Sequence, residues 1–220
     1  MAVILSPKSP KTSQQFIVTR TQQDPHAVIL KLRHTRELHL EAKYSNDLRQ
    51  GIKHHLDSCL LKYDRSLSAL PLTYNAKDLR EVGATRIVFD NPQLHVPVQV
   101  PWVVFKPQLG IKLEATVVSQ SDLEGIRLLL ELHYVNQETS ANASHAVNVF
   151  VPRDRVGKVC KWEQGAFIRR KPKYAHVPDK IRVGAKMSFW VIGHTCDPDG
   201  ANYALHGTLY EKDLKKLLKK

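Results

Sequence analysis

The chain has 220 residues and a formal net charge of +12, which favours a polyanionic partner such as RNA, DNA or an acidic protein face over a soluble protein that is merely basic. Its three cysteines, Cys59, Cys160 and Cys196, lie far apart without a CxxC, so a disulfide framework is not expected and a reducing compartment fits. No apolar run approaches the roughly 20 residues that span a bilayer, so no membrane partner is expected.

The chain begins with residues 1–25, in which Ser, Pro and Lys follow a short apolar patch. This composition predicts a flexible basic lead-in. Residues 27–32 form a short apolar run with β-branched members, which predicts a first strand.

A helical repeat of apolar residues follows, with Asn46 as the expected N-cap. The apolar stripe consists of Leu48, Ile52, Leu56, Leu60 and Tyr63. Arg49, Lys53 and His54 lie on the opposite face of the predicted helix.

Alternating apolar residues next predict a strand over Leu70–Tyr74 and then a hairpin. Its strands are residues 85–90 and 94–104, with the turn at Asn91 and Pro92. Pro97 and Pro101 in the second strand predict an exposed edge or bends, because proline gives no donor to a β-ladder.

Beyond Gly110 the pattern is purely β, with about five strands in roughly 100 residues. That count predicts an OB barrel, with a small sandwich as the alternative. Lys106 and Pro107 before Gly110 then mark the seam between an α/β unit and the barrel. The last residues, 211–220, predict a basic tail that is either a short helix or frayed.

No catalytic motif occurs in the sequence: GxSxG, HExxH and a Walker-type loop are all absent. His54 with His55, or His194 with Cys196, supplies two metal ligands at most, and no second pair lies at compact spacing. We therefore expect no catalytic residues, no metal and no cofactor.

Charge is concentrated between Arg153 and Lys186, where eleven basic residues face three acidic ones. Basic side chains neutralise phosphates and aromatic faces stack unpaired bases, so this segment is the predicted site for single-stranded RNA. The predicted RNA-binding residues are Arg153, Arg155, Lys158, Lys161, Trp162, Arg169, Arg170, Lys171 and Lys173. The alternative is that Trp162 and Phe167 plug the barrel and the cations form a solvated rim.

Several stretches of the sequence carry a resemblance to a known family. They are GIKHHLDSCLLKYDRSLSALPLTY, the hairpin, VVFKPQLGIKLEATVV, SDLEGIRLLL and DGANYALHGTL, which together cover roughly residues 27 to 210. In this order they resemble the larger stalk subunit of the multisubunit RNA polymerases. The family's F-[KR]-P-x-x-G mark at the domain seam corresponds to Phe105, Lys106, Pro107 and Gly110.

Among the three eukaryotic versions of this family, the sequence looks most like that of RNA polymerase I. The features in common are the basic lead-in, the helix ending in LLKYD, and the HGTL of residues 206–209. The sequence departs from that pattern by ending in lysines where a long acidic tail is often present.

The resemblance implies an α+β protein, with an RNP-like α/β domain at 26–106 and an OB-fold domain at 107–210. It implies a non-catalytic subunit in the nucleus and nucleolus that pairs with a smaller stalk subunit and attaches to the polymerase core subunits. It also implies docking of a transcription initiation factor and contact of the OB domain with nascent RNA.

Other interpretations stay open at this point. They are the equivalent subunit of RNA polymerase III or II, and a free-standing RNA-binding OB-fold protein. An enzyme with scattered catalytic residues has no positive support in the sequence.

Overall fold

A computed structural model describes residues 28–88 and 91–217. The predicted lead-in at 1–25 lies outside the described residues, as do Ala27, the hairpin residues 89–90 and the end of the tail at 218–220. The described chain is mostly β. No helix within it is long and apolar enough to cross a membrane.

The first part of the chain is an antiparallel sheet with a helix packed against it. Its elements are β1 (Ile29–Leu40), a 3-10 turn (Ala42–Tyr44), α1 (Leu48–Cys59), β2 (Leu70–Tyr74), a second 3-10 turn (Ala76–Asp78), β3 (Arg80–Glu81), β4 (Arg86–Val88) and β5 (Asn91–Phe105).

Helix α1 starts one residue later than predicted and ends earlier. The side chain of Asp47, not Asn46, accepts a hydrogen bond from the amide of Gln50 at 2.9 Å and is the N-cap. The helix ends at Cys59, so the predicted last turn to Tyr63 is not helical. Tyr63 is instead used in a contact with the barrel.

Strand β1 is longer than the strand that the apolar run at residues 27–32 predicted. It continues to Leu40 because alternate side chains still turn to the core, with Leu38 and Leu40 both buried. Arg36 on the same row reaches Asp64, with 2.9 Å between the guanidinium and the carboxylate. A stretch rich in polar residues can therefore continue a strand when its inward-facing positions carry buried apolar side chains or a charged side chain that has an ion-pair partner.

Strand β5 is the centre of the sheet, with β1 on one edge and β2, β3 and β4 in succession on the other. The prediction that Pro97 and Pro101 mark an exposed edge is therefore wrong. Their carbonyls accept hydrogen bonds from the amides of Val82 and Asn75, which follow the short strands β3 and β2. In an antiparallel ladder the N–H and the C=O of one residue point to the same neighbouring strand. The nitrogens of Pro97 and Pro101, which carry no hydrogen to donate, therefore face the gaps between the short strands β2, β3 and β4, where no ladder hydrogen bond is lost.

The second part of the chain is a closed barrel, in the order β11-β12-β8-β7-β6, with β6 paired back to β11. Strands β8 and β12 are parallel and the other pairs are antiparallel. The elements are β6 (Lys112–Ser121), β7 (Gly125–Val135), β8 (Asn142–Pro152), α2 (Arg153–Val156), β9 (Cys160–Glu163), β10 (Ala166–Arg169), β11 (Lys186–Thr195), β12 (Ala204–Thr208) and α3 (Lys212–Leu217).

This closure is compatible with the predicted OB-like fold, because a sandwich would keep two separate sheets. Alternate residues of the strands fill the interior, for example Ile126, Leu128 and Val149. Phe167 of β10 and Ile181 are fully buried in the same core. The segment between β8 and β11 therefore contributes to the barrel core as well as to its surface.

The predicted seam carries contacts between the two parts. Phe105 is fully buried within the barrel's core cluster, and its ring meets Tyr203 edge to face at 6.4 Å. The Lys106 ammonium donates to the carbonyl of Leu67 at 3.1 Å, and its amide donates to the carbonyl of Val28 at 2.7 Å. The seam is thus attached to the barrel through Phe105 and to the first part of the chain through Lys106.

Gly110 allows the turn that leads into β6. Its φ of +83° lies in the left-handed region that favours glycine, and its amide donates to the carbonyl of Val191 at 2.7 Å. Pro107, half-buried, precedes this turn. The division of the chain into domains at residues 106 and 107 stays a prediction.

Candidate nucleic-acid interface

The predicted RNA-binding segment lies between β8 and β11, where it forms α2, the β9–β10 hairpin and a loop. The loop is tied back to the hairpin by backbone hydrogen bonds, such as the amide of Ile181 to the carbonyl of Phe167 at 2.9 Å. From the barrel wall, the side-chain amide of Gln120 donates to the carbonyl of Ile181 at 3.0 Å. The segment is thus held in a defined position.

Arg153 is held by the turn between β6 and β7. Its Nε donates to the carbonyl and the carboxylate of Asp122, at 2.7 and 2.9 Å. The guanidinium also lies 5.6 Å from the ring centre of Phe167. Because Arg153 is held by these contacts with other residues of the barrel, we assign it to the structure of the barrel.

Arg155 and Lys158 share one buried carboxylate. Asp213 of α3 is 5 % exposed and lies 2.8 Å from the Lys158 ammonium and 3.3 Å from the Arg155 guanidinium. The Thr208 hydroxyl donates to it at 3.0 Å. Burial alone would raise the pKa of Asp213, but the hydrogen bonds from Lys158 and Thr208 and the charges of Lys158 and Arg155 outweigh it and lower that pKa.

Arg169 is also paired within the segment, since its guanidinium donates to the Asp179 carboxylate and, at 2.9 Å, to the carbonyl of Val177. The Lys161 ammonium lies 2.7 Å from the Glu163 carboxylate at the surface. This ion pair contributes little energy because both side chains are exposed. We call Arg153, Arg155, Lys158, Lys161 and Arg169 the paired cations.

The remaining cations differ in being exposed and without a carboxylate partner in the described part of the chain. Arg170 keeps one contact, from its Nε to the carbonyl of Cys160 at 3.0 Å. The others, which we call the open cations, are Lys171, Lys173, Lys180, Arg182 and Lys186. The predicted cluster therefore divides, and the charge available to a polyanion lies mainly in its second half.

The two aromatic residues of the hairpin have separate environments. Phe167 is fully buried, whereas Trp162 is half-buried and packs edge to face against it, with ring centres 4.8 Å apart. Phe167 is thus a barrel plug, as the alternative interpretation expected, and Trp162 covers it.

Two features of this surface are missing from the sequence-based prediction. Asp213 lies in the predicted basic tail, and nothing local indicates that it neutralises Arg155 and Lys158. Trp190 lies in β11 between the inward-facing Phe189 and Val191, and this alternation is the sequence signal that places it on the outer face of the strand.

The histidines considered as metal ligands have other neighbours. His194 packs against Tyr63 with ring centres 4.8 Å apart, and His54 lies 6.0 Å from the ring of Tyr44. In residues 28–88 and 91–217, no group of three or more His, Cys, Asp or Glu side chains is placed to hold a metal ion.

Comparison with known proteins finds similarity over part of the chain. Across 85 residues, 38% of this chain, the sequence is 36% identical to DNA-directed RNA polymerase I subunit RPA43 of Homo sapiens. Over the same length it is 33% identical to RPA43 of Mus musculus. The match spans 25% of each of these curated relatives. No family model matches the sequence.

Proposed function

We propose that the chain is the larger, non-catalytic stalk subunit of a DNA-directed RNA polymerase, and that the enzyme is RNA polymerase I, which transcribes the rRNA genes. The observation that carries this proposal is the similarity to RPA43 in two organisms. The closed barrel and the absence of any catalytic motif from the sequence are consistent with it. In this role the protein acts in the nucleus, within the nucleolus.

The proposed protein partners are a smaller stalk subunit, the polymerase core subunits and a transcription initiation factor. Exposed apolar side chains support a protein partner at the end of the sheet, where Val82 is 48% exposed and Ile87 69% exposed. These two residues flank the entry to β4. A subunit that covers them would remove apolar surface from water.

The proposed nucleic-acid partner is single-stranded nascent RNA, bound by the barrel. The open cations support this proposal, because exposed lysine and arginine side chains without internal carboxylates are free to neutralise phosphates. The paired cations other than Lys161 contribute less, since an RNA phosphate would have to displace a carboxylate from each of them. Lys161 is the exception, because its exposed contact with Glu163 is of little energy.

Affinity purification from native cells tests the assembly. Tagged protein should bring down a small stalk partner together with the largest subunits of RNA polymerase I, identified by mass spectrometry. Recovery of the RNA polymerase III or II subunits would identify the alternative enzyme. A lone protein recovered with RNA and no polymerase subunits would favour the free-standing OB-fold interpretation.

A matched pair of variants locates the protein partner. Val82→Asp with Ile87→Asp should reduce recovery of the polymerase subunits, because it places charge on the apolar end of the sheet. Leu123→Asp is the control, because Leu123 is 90% exposed in the turn between β6 and β7. Equal recovery with both variants would exclude the end of the sheet as a contact.

A further inference from the structure

A row of aromatic rings crosses the outside of the barrel, apart from the β9–β10 hairpin. Trp190 meets His176 with ring centres 4.7 Å apart, His176 meets Tyr174 at 6.4 Å, and Tyr174 meets Tyr210 at 6.2 Å. All four rings are half-buried. We call these four residues the aromatic row.

The rings come from three separate parts of the chain. Trp190 projects from the outer face of β11, Tyr174 and His176 lie in the loop that precedes β11, and Tyr210 follows β12. The Nε2 of His176 donates to the carbonyl of Leu209 at 3.0 Å, because a carbonyl can only accept. That bond joins the loop to the end of β12 and fixes the orientation of the ring.

Neighbouring rings in the row stand nearly perpendicular to one another, with interplanar angles of 71°, 82° and 75°. Edge-to-face packing uses the edge of one ring and the face of the next, so it does not cover both faces of every ring. A ring that keeps part of its surface exposed, as these four do, is suited to stack an unpaired base.

Lysines lie over these rings. The Lys112 ammonium is 5.7 Å from the ring centre of Trp190, and the Lys173 ammonium is 5.2 Å from that of Tyr174. Lys158 lies 5.9 Å from the ring centre of Tyr210 but is bonded to Asp213. Lys112 and Lys173 are exposed and have no carboxylate partner in the described residues, so each ammonium can move from its ring to a phosphate when a base stacks on that ring.

We propose that the aromatic row, with Lys112 and Lys173, is a stacking site for single-stranded RNA. This inference rests on the proposed RNA contact and changes its location from the basic hairpin to the outer face of β11 and the adjoining loop. RNA fits better than an acidic peptide, because flat rings interleaved with cations match bases interleaved with phosphates. Recognition by stacking also predicts weak sequence preference, since every base has a π-face.

The test measures binding of a short single-stranded oligouridylate by the full chain, in its native complex if the chain is unstable alone. Trp190→Leu with Tyr174→Leu removes two rings but keeps apolar bulk against the barrel. We expect affinity to fall by at least about tenfold, with the slope of log K against log salt unchanged because both lysines remain. Lys112→Gln with Lys173→Gln should instead flatten that slope, by about 0.7 for each phosphate that is no longer neutralised.

The control is a second aromatic pair on the same barrel, Phe150 and His206, whose ring centres lie 6.3 Å apart on β8 and β12. Phe150→Leu should leave oligouridylate binding unchanged. If affinity falls with Phe150→Leu but not with the Trp190 and Tyr174 variant, the aromatic row is not the stacking site. The proposal that the barrel binds RNA would still stand.

Two further outcomes separate this inference from the proposed function. If wild-type protein in its native complex does not bind oligouridylate, the RNA part of the proposed function fails and the row fails with it. If polyglutamate of similar length binds as tightly as RNA, and the ring substitutions change the affinity of neither ligand, the surface is an acidic-peptide site and the stacking proposal is wrong. Equal thermal stability of variant and wild type shows that a reduced affinity is not unfolding.

Discussion

Tyr63 and Tyr203 stack face to face, with ring planes 4° apart and ring centres 5.2 Å apart. Tyr63 follows α1 and Tyr203 immediately precedes β12, so this stack joins the sheet and helix to the barrel. The amide of Tyr63 donates to the carbonyl of Gly200 at 2.9 Å beside it. The two parts of the chain are therefore in contact through Tyr63 as well as through Phe105, and the ring of Tyr203 takes part in both contacts.

Gly200→Ala should disrupt this contact. Gly200 has a φ of +74°, and an added Cβ would lie 2.4 Å from the carbonyl oxygen of Tyr63, which belongs to the backbone and cannot rotate away. We expect the free energy of unfolding to fall by about 2 kcal/mol or more in chemical denaturation. Gly184→Ala is the matched control, because Gly184 has a φ of +84° and open space around it. An equal destabilisation in both variants would mean that only the backbone angle matters.

Asp213→Asn should destabilise the protein in a pH-dependent way. The folded-state pKa of Asp213 is lowered, so the carboxylate stabilises the fold above its unfolded pKa of about 3.9, and this stability is lost as the pH falls through the folded pKa. At about pH 7 we expect the free energy of unfolding to fall by about 2 kcal/mol, because charge-assisted hydrogen bonds are removed.

The measurement is denaturant unfolding of wild type and Asp213→Asn at several pH values. The gap between them should stay constant from about pH 7 to 5 and narrow below about pH 4. Asp154→Asn is the control, since its carboxylate is 71% exposed and 3.9 Å from Arg155. A gap that does not change with pH would contradict a role for the ionised carboxylate.

The three cysteines should differ in reactivity. Cys160 is fully buried, and burial raises the pKa of its thiol to about 12 against the opposing charges of Arg170 and Arg169. Cys59 and Cys196 are half-buried. At about pH 8, iodoacetamide should label Cys59 and Cys196 in native protein and Cys160 only after unfolding, because the thiolate is the reactive form. Peptide mass spectrometry identifies the labelled sites, and equal labelling of all three would be inconsistent with this core.

Charge reversal should distinguish the open cations from other surface charge. Changing Lys171, Lys173 and Lys180 to glutamate should weaken single-stranded RNA binding for all sequences alike and lower the salt slope by about 2, at about 0.7 for each phosphate contact.

The control for this reversal has the same change in net charge on the other part of the chain. Arg49, Lys62 and Lys77 are exposed, and changing them to glutamate should leave the salt slope nearly unchanged. Similar slopes for the two triple variants would show that the loop after β10 makes no phosphate contacts and that net charge alone attracts RNA.

Local pattern is sufficient to predict the five barrel strands and the presence of helix α1. Alternation of apolar residues predicts the barrel strands, because a strand with one face in the core must bury every second side chain. The spacing of Leu48, Ile52 and Leu56 likewise predicts α1. Its end is not predictable, because Leu60 and Tyr63 continue the apolar repeat but are used in contacts beyond the helix.

Partners distant in sequence are decided only by the tertiary structure. Lys158 and Asp213 are 55 residues apart, and Arg153 and Asp122 are 31 residues apart, so a count of charges along the chain cannot show that they neutralise each other. The central position of β5 is hidden for the same reason, since its prolines face gaps between strands that are defined only once the sheet has formed. Composition determines how much charge and apolar surface the chain carries, but pairing across the fold determines which of it remains open to a partner.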